Sequence, residues 1–216
     1  MPYVALDDRE KLDRYINDVA DDLVEKLKKA KTPAELSTIY KQTFLAINKT
    51  IYNLLTKRPA EIKTSEERLA NKIYELDKHY GYDAAFNGEL NYSITRIIQL
   101  TPKKMVQQGL WKEELRYWVY SQTVGALIMA QDDVKKIAAE MKDSSSDWIF
   151  DGIVGVLEDV KDEYKRRVNT AYEAVQIKKS GDCYDTPYHT ELIDIKDSNG
   201  NVIGWQEVMK DYRKDK

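Results

Sequence analysis

Behind Asp7 and Asp8, Leu12, Ile16, Val19, Leu23, Leu27 and Ala30 recur at three- and four-residue steps. Such an apolar stripe predicts an amphipathic first helix. Its acidic start and its finish at Lys26, Lys28, Lys29 and Lys31 suit the helix dipole. Thr32-Pro33-Ala34-Glu35 then combines an N-cap, a proline at the first helical position and a capping-box glutamate. A second helix follows through Leu36, Ile39, Tyr40, Phe44, Ile47, Ile51 and Leu54 until Arg58-Pro59 stops it. Thr64-Ser65-Glu66-Glu67 caps a third, with Leu69, Ile73, Leu76 and Tyr80 inward and Gly81 as its C′ residue.

Residues 88–99 predict a fourth helix, and Thr101-Pro102 a short fifth that ends near Gly109. Two long helices follow, 112–142 and 148–179, separated by the capping run Asp143-Ser144-Ser145-Ser146-Asp147, and Gly181 ends the second. Beyond it the period changes. Glu191-Leu192-Ile193-Asp194-Ile195 alternates, Asp197-Ser198-Asn199-Gly200 is turn chemistry, and Val202-Ile203-Gly204-Trp205 returns as a partner strand. The fold class is therefore mainly α, a multi-helix bundle over residues 1–182 with a connector and small β-hairpin over 183–216. An isolated two-stranded hairpin is marginal in water, so this one is expected to dock on something.

The two long helices resemble one another. A shift of 30 positions lays Trp118-Val119-Tyr120 on Trp148-Ile149-Phe150, Val124-Gly125-Ala126-Leu127 on Val154-Gly155-Val156-Leu157, and Asp132 with Lys135-Lys136 on Asp162 with Lys165-Arg166. This self-similarity points to duplication and a pseudo-twofold arrangement. A glycine inside a helix costs about 1 kcal/mol relative to alanine. Gly125 and Gly155 are accordingly expected where the two helices cross closely, or where each makes room for a nearby aromatic ring. A fainter echo links Pro33-Ala34-Glu35-Leu36 to Asn87-Gly88-Glu89-Leu90.

Composition narrows the class. With 33% charged and 42% apolar residues, the chain is too hydrophobic to be disordered and too charged to be largely membrane-buried. Lys plus Arg at 34 against Asp plus Glu at 37 gives a net charge of -3 with the signs interleaved, which argues against a dedicated nucleic-acid binder. The single Cys183 excludes an internal disulfide, no apolar run approaches the roughly 20 residues that span a bilayer, and the first residues lack a secretory layout. The cytoplasm is the expected compartment.

Three segments carry a resemblance. Met1-Pro2-Tyr3, Gly88-Glu89-Leu90-Asn91-Tyr92 with Ile94-Thr95, and Val154-Gly155-Val156-Leu157 leading through Glu163-Tyr164-Lys165-Arg166-Arg167 to Tyr172-Glu173 and Gly181-Asp182 resemble an uncharacterised family of short bacteriophage and bacterial proteins. The resemblance implies a phage or prophage origin, hence the host cytoplasm, and brings no established activity. The chain departs from the pattern at Lys165, at Ser180-Gly181-Asp182-Cys183, and in its added N-terminal helices and C-terminal hairpin.

Candidate chemistry is sparse. Glu89, Tyr92 or Ser93, and Arg96 share one face of the fourth helix, and with Asn91 they form a strip that can bind a small anionic or nucleotide-like ligand, or simply a helix start with an intrahelical Glu–Arg pair. Glu158, Asp159, Asp162, Glu163, Arg166 and Arg167 have the acidic spacing of all-α nucleotide pyrophosphohydrolases that hold Mg²⁺, but Lys161 and Lys165 interleave as on a solvated face. His79 and His189 lack metal-ligand spacing, and P-loop, dinucleotide and nucleophile-elbow signatures are absent. Fifteen tyrosines and four tryptophans suit either half-buried core or interfaces, Trp111 and Trp205 being the better interface candidates.

The expected function is a non-enzymatic binding protein that engages a host or phage protein, or sequesters a small anionic ligand, through Glu89, Asn91, Tyr92, Arg96, Glu163, Arg166 and Arg167. It needs no cofactor. The alternative is a Mg²⁺-dependent pyrophosphohydrolase-like enzyme with Glu89, Glu158, Asp162 and Glu163 converging on the ion, and a virion structural component is the third. No membrane partner is expected, and an oligomer is left open.

Overall fold

The structure, a computed structural model, describes residues 4–80, 86–110, 115–141, 147–170, 188–198 and 200–211. Among these the chain is mainly helical, with α1 (Leu6–Leu27), α2 (Pro33–Leu55), α3 (Ser65–Tyr80), α4 (Phe86–Gln107), α5 (Leu115–Met141) and α6 (Asp147–Tyr164), then strands β1 (Tyr188–Lys196) and β2 (Val202–Asp211). It divides into two compact units, Met1–Lys165 and Arg166–Lys216. The division falls within the stretch expected to be the last long helix, where a single π-helical turn spans Lys165–Asn169.

Caps set the helix starts. The Thr32 hydroxyl accepts from the Glu35 amide at 3.3 Å, and the Glu35 carboxylate accepts from the Lys31 amide at 2.6 Å. Thr64 and Glu67 bond reciprocally, amide to side chain, at 3.2 and 2.8 Å. Gly109, at φ +67°, lies just past α4, where the Gly109 and Leu110 amides close on Val106 and Met105 as a glycine C-cap does. The C′ role expected of Gly81, the capping run 143–146, Trp111 and the segment 171–187, with Gly181 and Cys183, lie outside the described residues.

The expected break between a fourth and a fifth helix is absent, because α4 runs unbroken through Pro102. The ring removes one amide, and the Thr101 hydroxyl bonds the Ile97 carbonyl at 2.8 Å inside the same turn. Both residues are buried, so packing holds the helix together where local preference would end it.

In the first unit, α1 packs on α3 and α4, α2 on α3 and α5, and α6 on α5 and α4. Leu12, Ile16, Tyr40, Phe44, Ile47, Ile73, Phe86, Leu90 and Ile94 are fully buried between them. Each such side chain stabilises the fold by about 1.5–3 kcal/mol. Among the described residues no helix is long and apolar enough to cross a membrane.

The glycine crossing expected between α5 and α6 is not formed. A Cβ on Gly155 would meet nothing within 4 Å, and one on Gly125 would reach only Ser37 Oγ of α2, at 4.0 Å. Instead α5 and α6 are joined by Gln131, whose Nε2 donates to Glu158 at 2.6 Å. The close approach lies at Gly152, where a Cβ would come within 2.8 Å of Asn87 Oδ1 and 3.2 Å of the Phe86 ring, so that α6 leans on α4.

In the second unit, β1 and β2 pair antiparallel from Tyr188 opposite Asp211 to Lys196 opposite Val202, with an irregularity at Ile195/Lys196. Asp197 closes the turn by accepting the Asn201 amide at 2.9 Å, and Gly200 takes φ +84°.

Candidate ligand-binding site

Glu89, Asn91, Tyr92 and Arg96 do not form one open strip. Because α4 is flanked by α1, α3, α5 and α6, most of its circumference is covered. Glu89 and Asn91 are each 4% exposed, and Ser93 is fully buried. Tyr92 and Arg96 remain partly accessible but both turn to Asp13 of α1. The Tyr92 hydroxyl donates to Asp13 Oδ1 at 2.8 Å, Arg96 Nε lies 3.9 Å from the same oxygen, and Arg9 stands over the Tyr92 ring at 5.6 Å. These groups brace α1 against α4.

Glu89 sits in an acidic corner. Asp77 accepts the Phe86 amide at 2.8 Å as it starts α4, and Tyr80 and Lys11 hold Asp8. Burial raises the Glu89 pKa first of all; a hydrogen bond to its backbone opposes the rise, and the charges of Asp8 and Asp77 add to it.

The acidic face of α6 is tied up locally. Lys161 pairs with Glu158 and lies 3.6 Å from Asp162, while Gln131 bonds Glu158 from α5. Lowering of the Glu158 pKa comes chiefly from the Lys161 hydrogen bond, then from Gln131. Glu163 is half-buried at the end of α6, and Arg166 and Arg167 are exposed in the π turn of the second unit. Among the described residues no group of three or more His, Cys, Asp or Glu side chains is placed to hold a metal ion. The convergence of Glu89, Glu158, Asp162 and Glu163 on Mg²⁺ is thus not formed.

The site that the sequence reading missed lies between α2, α5 and α6. A pocket of about 270 Å³ is lined by Leu45, Asn48, Lys49, Tyr52, Val134, Ile137, Phe150 and Ile153. Its surface is almost wholly apolar, with the Tyr52 and Phe150 rings stacked at 4.7 Å. Asn48 is the exception. It is 2% exposed, and neither its Nδ2 nor its Oδ1 has a hydrogen-bond partner. A buried carboxamide with both groups unpaired carries a penalty of about 1–3 kcal/mol per group. The signal was visible as a polar residue set between Phe44, Ile47 and Ile51 in an apolar stripe, but only the meeting of three helices makes it a site.

The family described as a domain of unknown function, DUF6899, matches residues 1–144. The chain belongs to that family. No curated protein and no solved structure matches it. The DUF6899 segment carries α1 to α5, so two walls of the pocket, α2 and α5, lie inside it, while Phe150 and Ile153 come from α6 beyond its end.

Proposed function

We propose that the protein is a non-enzymatic binding protein that sequesters a small ligand in the pocket between α2, α5 and α6. The carrying observation is the cavity itself, walled by the stacked Tyr52 and Phe150 rings with Val134, Ile137 and Ile153. Pockets that bind small molecules are lined mostly by hydrophobic and aromatic side chains of this kind. A phage origin and action in the host cytoplasm belong to the same reading, on the strength of the sequence resemblance.

The reading also takes α5 and α6 as diverged copies of one helix. Supporting this, Thr123, Ala126, Leu127 and Ala130 are all buried, and so are Ile153, Val156, Leu157 and Val160, which occupy the same places after the shift of 30 positions. On this view the copies kept their inward face, and the glycine shared at 125 and 155 is a remnant of the common sequence rather than a crossing point.

The test is a ligand-observed NMR screen of small molecules against the intact chain and Ile137→Trp. Ile137 is 43% exposed at the pocket, so the larger ring can close it without disturbing the core. Hits that bind the wild type and lose binding in the variant support sequestration here. Hits that bind both equally, or no hits, overturn it.

A further inference from the structure

We infer that the pocket takes a small, uncharged aromatic molecule, one ring with short apolar substituents, and holds it by packing alone, with no hydrogen bond or ion pair from the protein. This names the ligand class for the site proposed above and rests on that reading.

Size comes first. An apolar cavity of about 150 Å³ already holds benzene. At about 270 Å³ this one has room for a substituted ring, and it lies just below the roughly 300–1,000 Å³ of drug-sized ligand pockets, so a nucleotide or a lipid chain does not fit.

The walls decide the chemistry. Tyr52 and Phe150 present stacked aromatic carbon, and Arg58, standing 5.0 Å over the Tyr52 ring, helps fix that wall before a ligand arrives. Leu45, Val134, Ile137 and Ile153 supply aliphatic carbon. Asn48 belongs to the lining, but both its amide atoms are sealed from solvent. A donor or acceptor on the ligand therefore gives up water here and finds no partner, which disfavours its burial. A charge loses more. Lys49 at the mouth is exposed, and a solvated ammonium offsets little of that loss. An aromatic ring, by contrast, packs on aromatic carbon with a gain beyond its buried area.

Exposure around the mouth argues against a protein as the occupant. Ile137 is 43% exposed, whereas Tyr52, Val134, Phe150 and Ile153 are each 6% exposed or less. A stable protein interface covers about 800 Å² on each partner, and this opening offers a docking surface little apolar contact besides Ile137 and part of Leu45. The remaining contact lies inside, where a small molecule can enter.

Calorimetric titration of the full chain with toluene, benzamide and benzoate tests the inference, since the three share one ring and differ in the group it carries. The expected result is that toluene binds one per chain, that benzamide and benzoate each bind at least tenfold more weakly, and that Ile137→Trp abolishes the toluene binding. If benzamide or benzoate binds within tenfold of toluene, and Ile137→Trp abolishes that binding, the pocket stands and the apolar class is wrong. If no probe binds, or Ile137→Trp leaves the toluene affinity unchanged, the pocket reading falls with the inference. Should Ile137→Trp not fold, toluene-induced shifts of the Val134 and Ile153 methyls in the wild type locate the site, and shifts confined to other residues overturn both. Sedimentation velocity covers the remaining occupant: a dimer that toluene or Ile137→Trp breaks would mean that a second copy fills the cavity, and the inference fails.

Discussion

The Tyr92 hydroxyl donates to Asp13 at 2.8 Å and so fastens the Gly-Glu-Leu-Asn-Tyr turn of α4 to the middle of α1. A hydrogen bond to a charged group contributes about 1.5–3 kcal/mol when buried, and the 41% exposure of the Asp13 side chain lowers that. Tyr92→Phe is expected to cost about 1 kcal/mol in urea unfolding, with the midpoint moved and the m-value unchanged. An unchanged midpoint would mean that the bond does not brace α1.

Helix by helix, the apolar period made most of the bundle legible. The boxes at Thr32 and Thr64 use short-range chemistry that one segment contains within itself, and they form as expected. What failed to show in the sequence depends on neighbours. Pro102 reads as a helix start until Thr101 and the surrounding core keep α4 continuous. Glu89 and Ser93 read as a polar face until the helices around α4 bury them. Asn48 reads as one polar residue in an apolar stripe, and nothing local says that α5 and α6 will leave a cavity beside it.

Glu89 predicts a pH effect of unusual sign for a carboxylate. Its folded pKa lies above the unfolded value because burial, reinforced by Asp8 and Asp77, disfavours the anion. The fold therefore binds this proton more tightly than the unfolded chain does. The contribution is fully present below the unfolded pKa and is lost as pH rises through the folded pKa. Glu89→Gln keeps the shape and removes the titration, so its stability relative to wild type should improve from pH 4 to pH 8. A constant difference across that range would contradict the assignment.

Glu66 should behave oppositely. Burial alone would raise its pKa, but Lys26 at 2.6 Å, with the backbone and Ser65, more than offsets this and the net shift is downward. Its contribution is present above the unfolded pKa and is lost as pH falls through the folded one. Lys26→Met leaves the buried carboxylate without its cation and is expected to cost about 1–3 kcal/mol at pH 7. That cost should shrink below pH 4, which equilibrium unfolding at the two pH values would reveal.

The glycines of α6 should diverge. Gly155→Ala meets open space and gains helix propensity, so it should stabilise by about 0.5–1 kcal/mol. Gly152→Ala carries the same propensity gain but must displace Asn87 Oδ1 and the Phe86 ring, so it should be less stable than Gly155→Ala by about 1 kcal/mol or more. Thermal unfolding of the two variants side by side checks this. Equal effects would contradict the packing of α6 on α4.

Protein-observed NMR with labelled Ile and Val methyls addresses the binding claim directly, by titration of small neutral aromatic molecules into the intact chain. The account predicts shifts at Val134, Ile137 and Ile153, with Ile16 and Val19 of α1 unmoved. Shifts centred instead on Tyr92, Arg96 and Asp13, or none at saturating ligand, would contradict it.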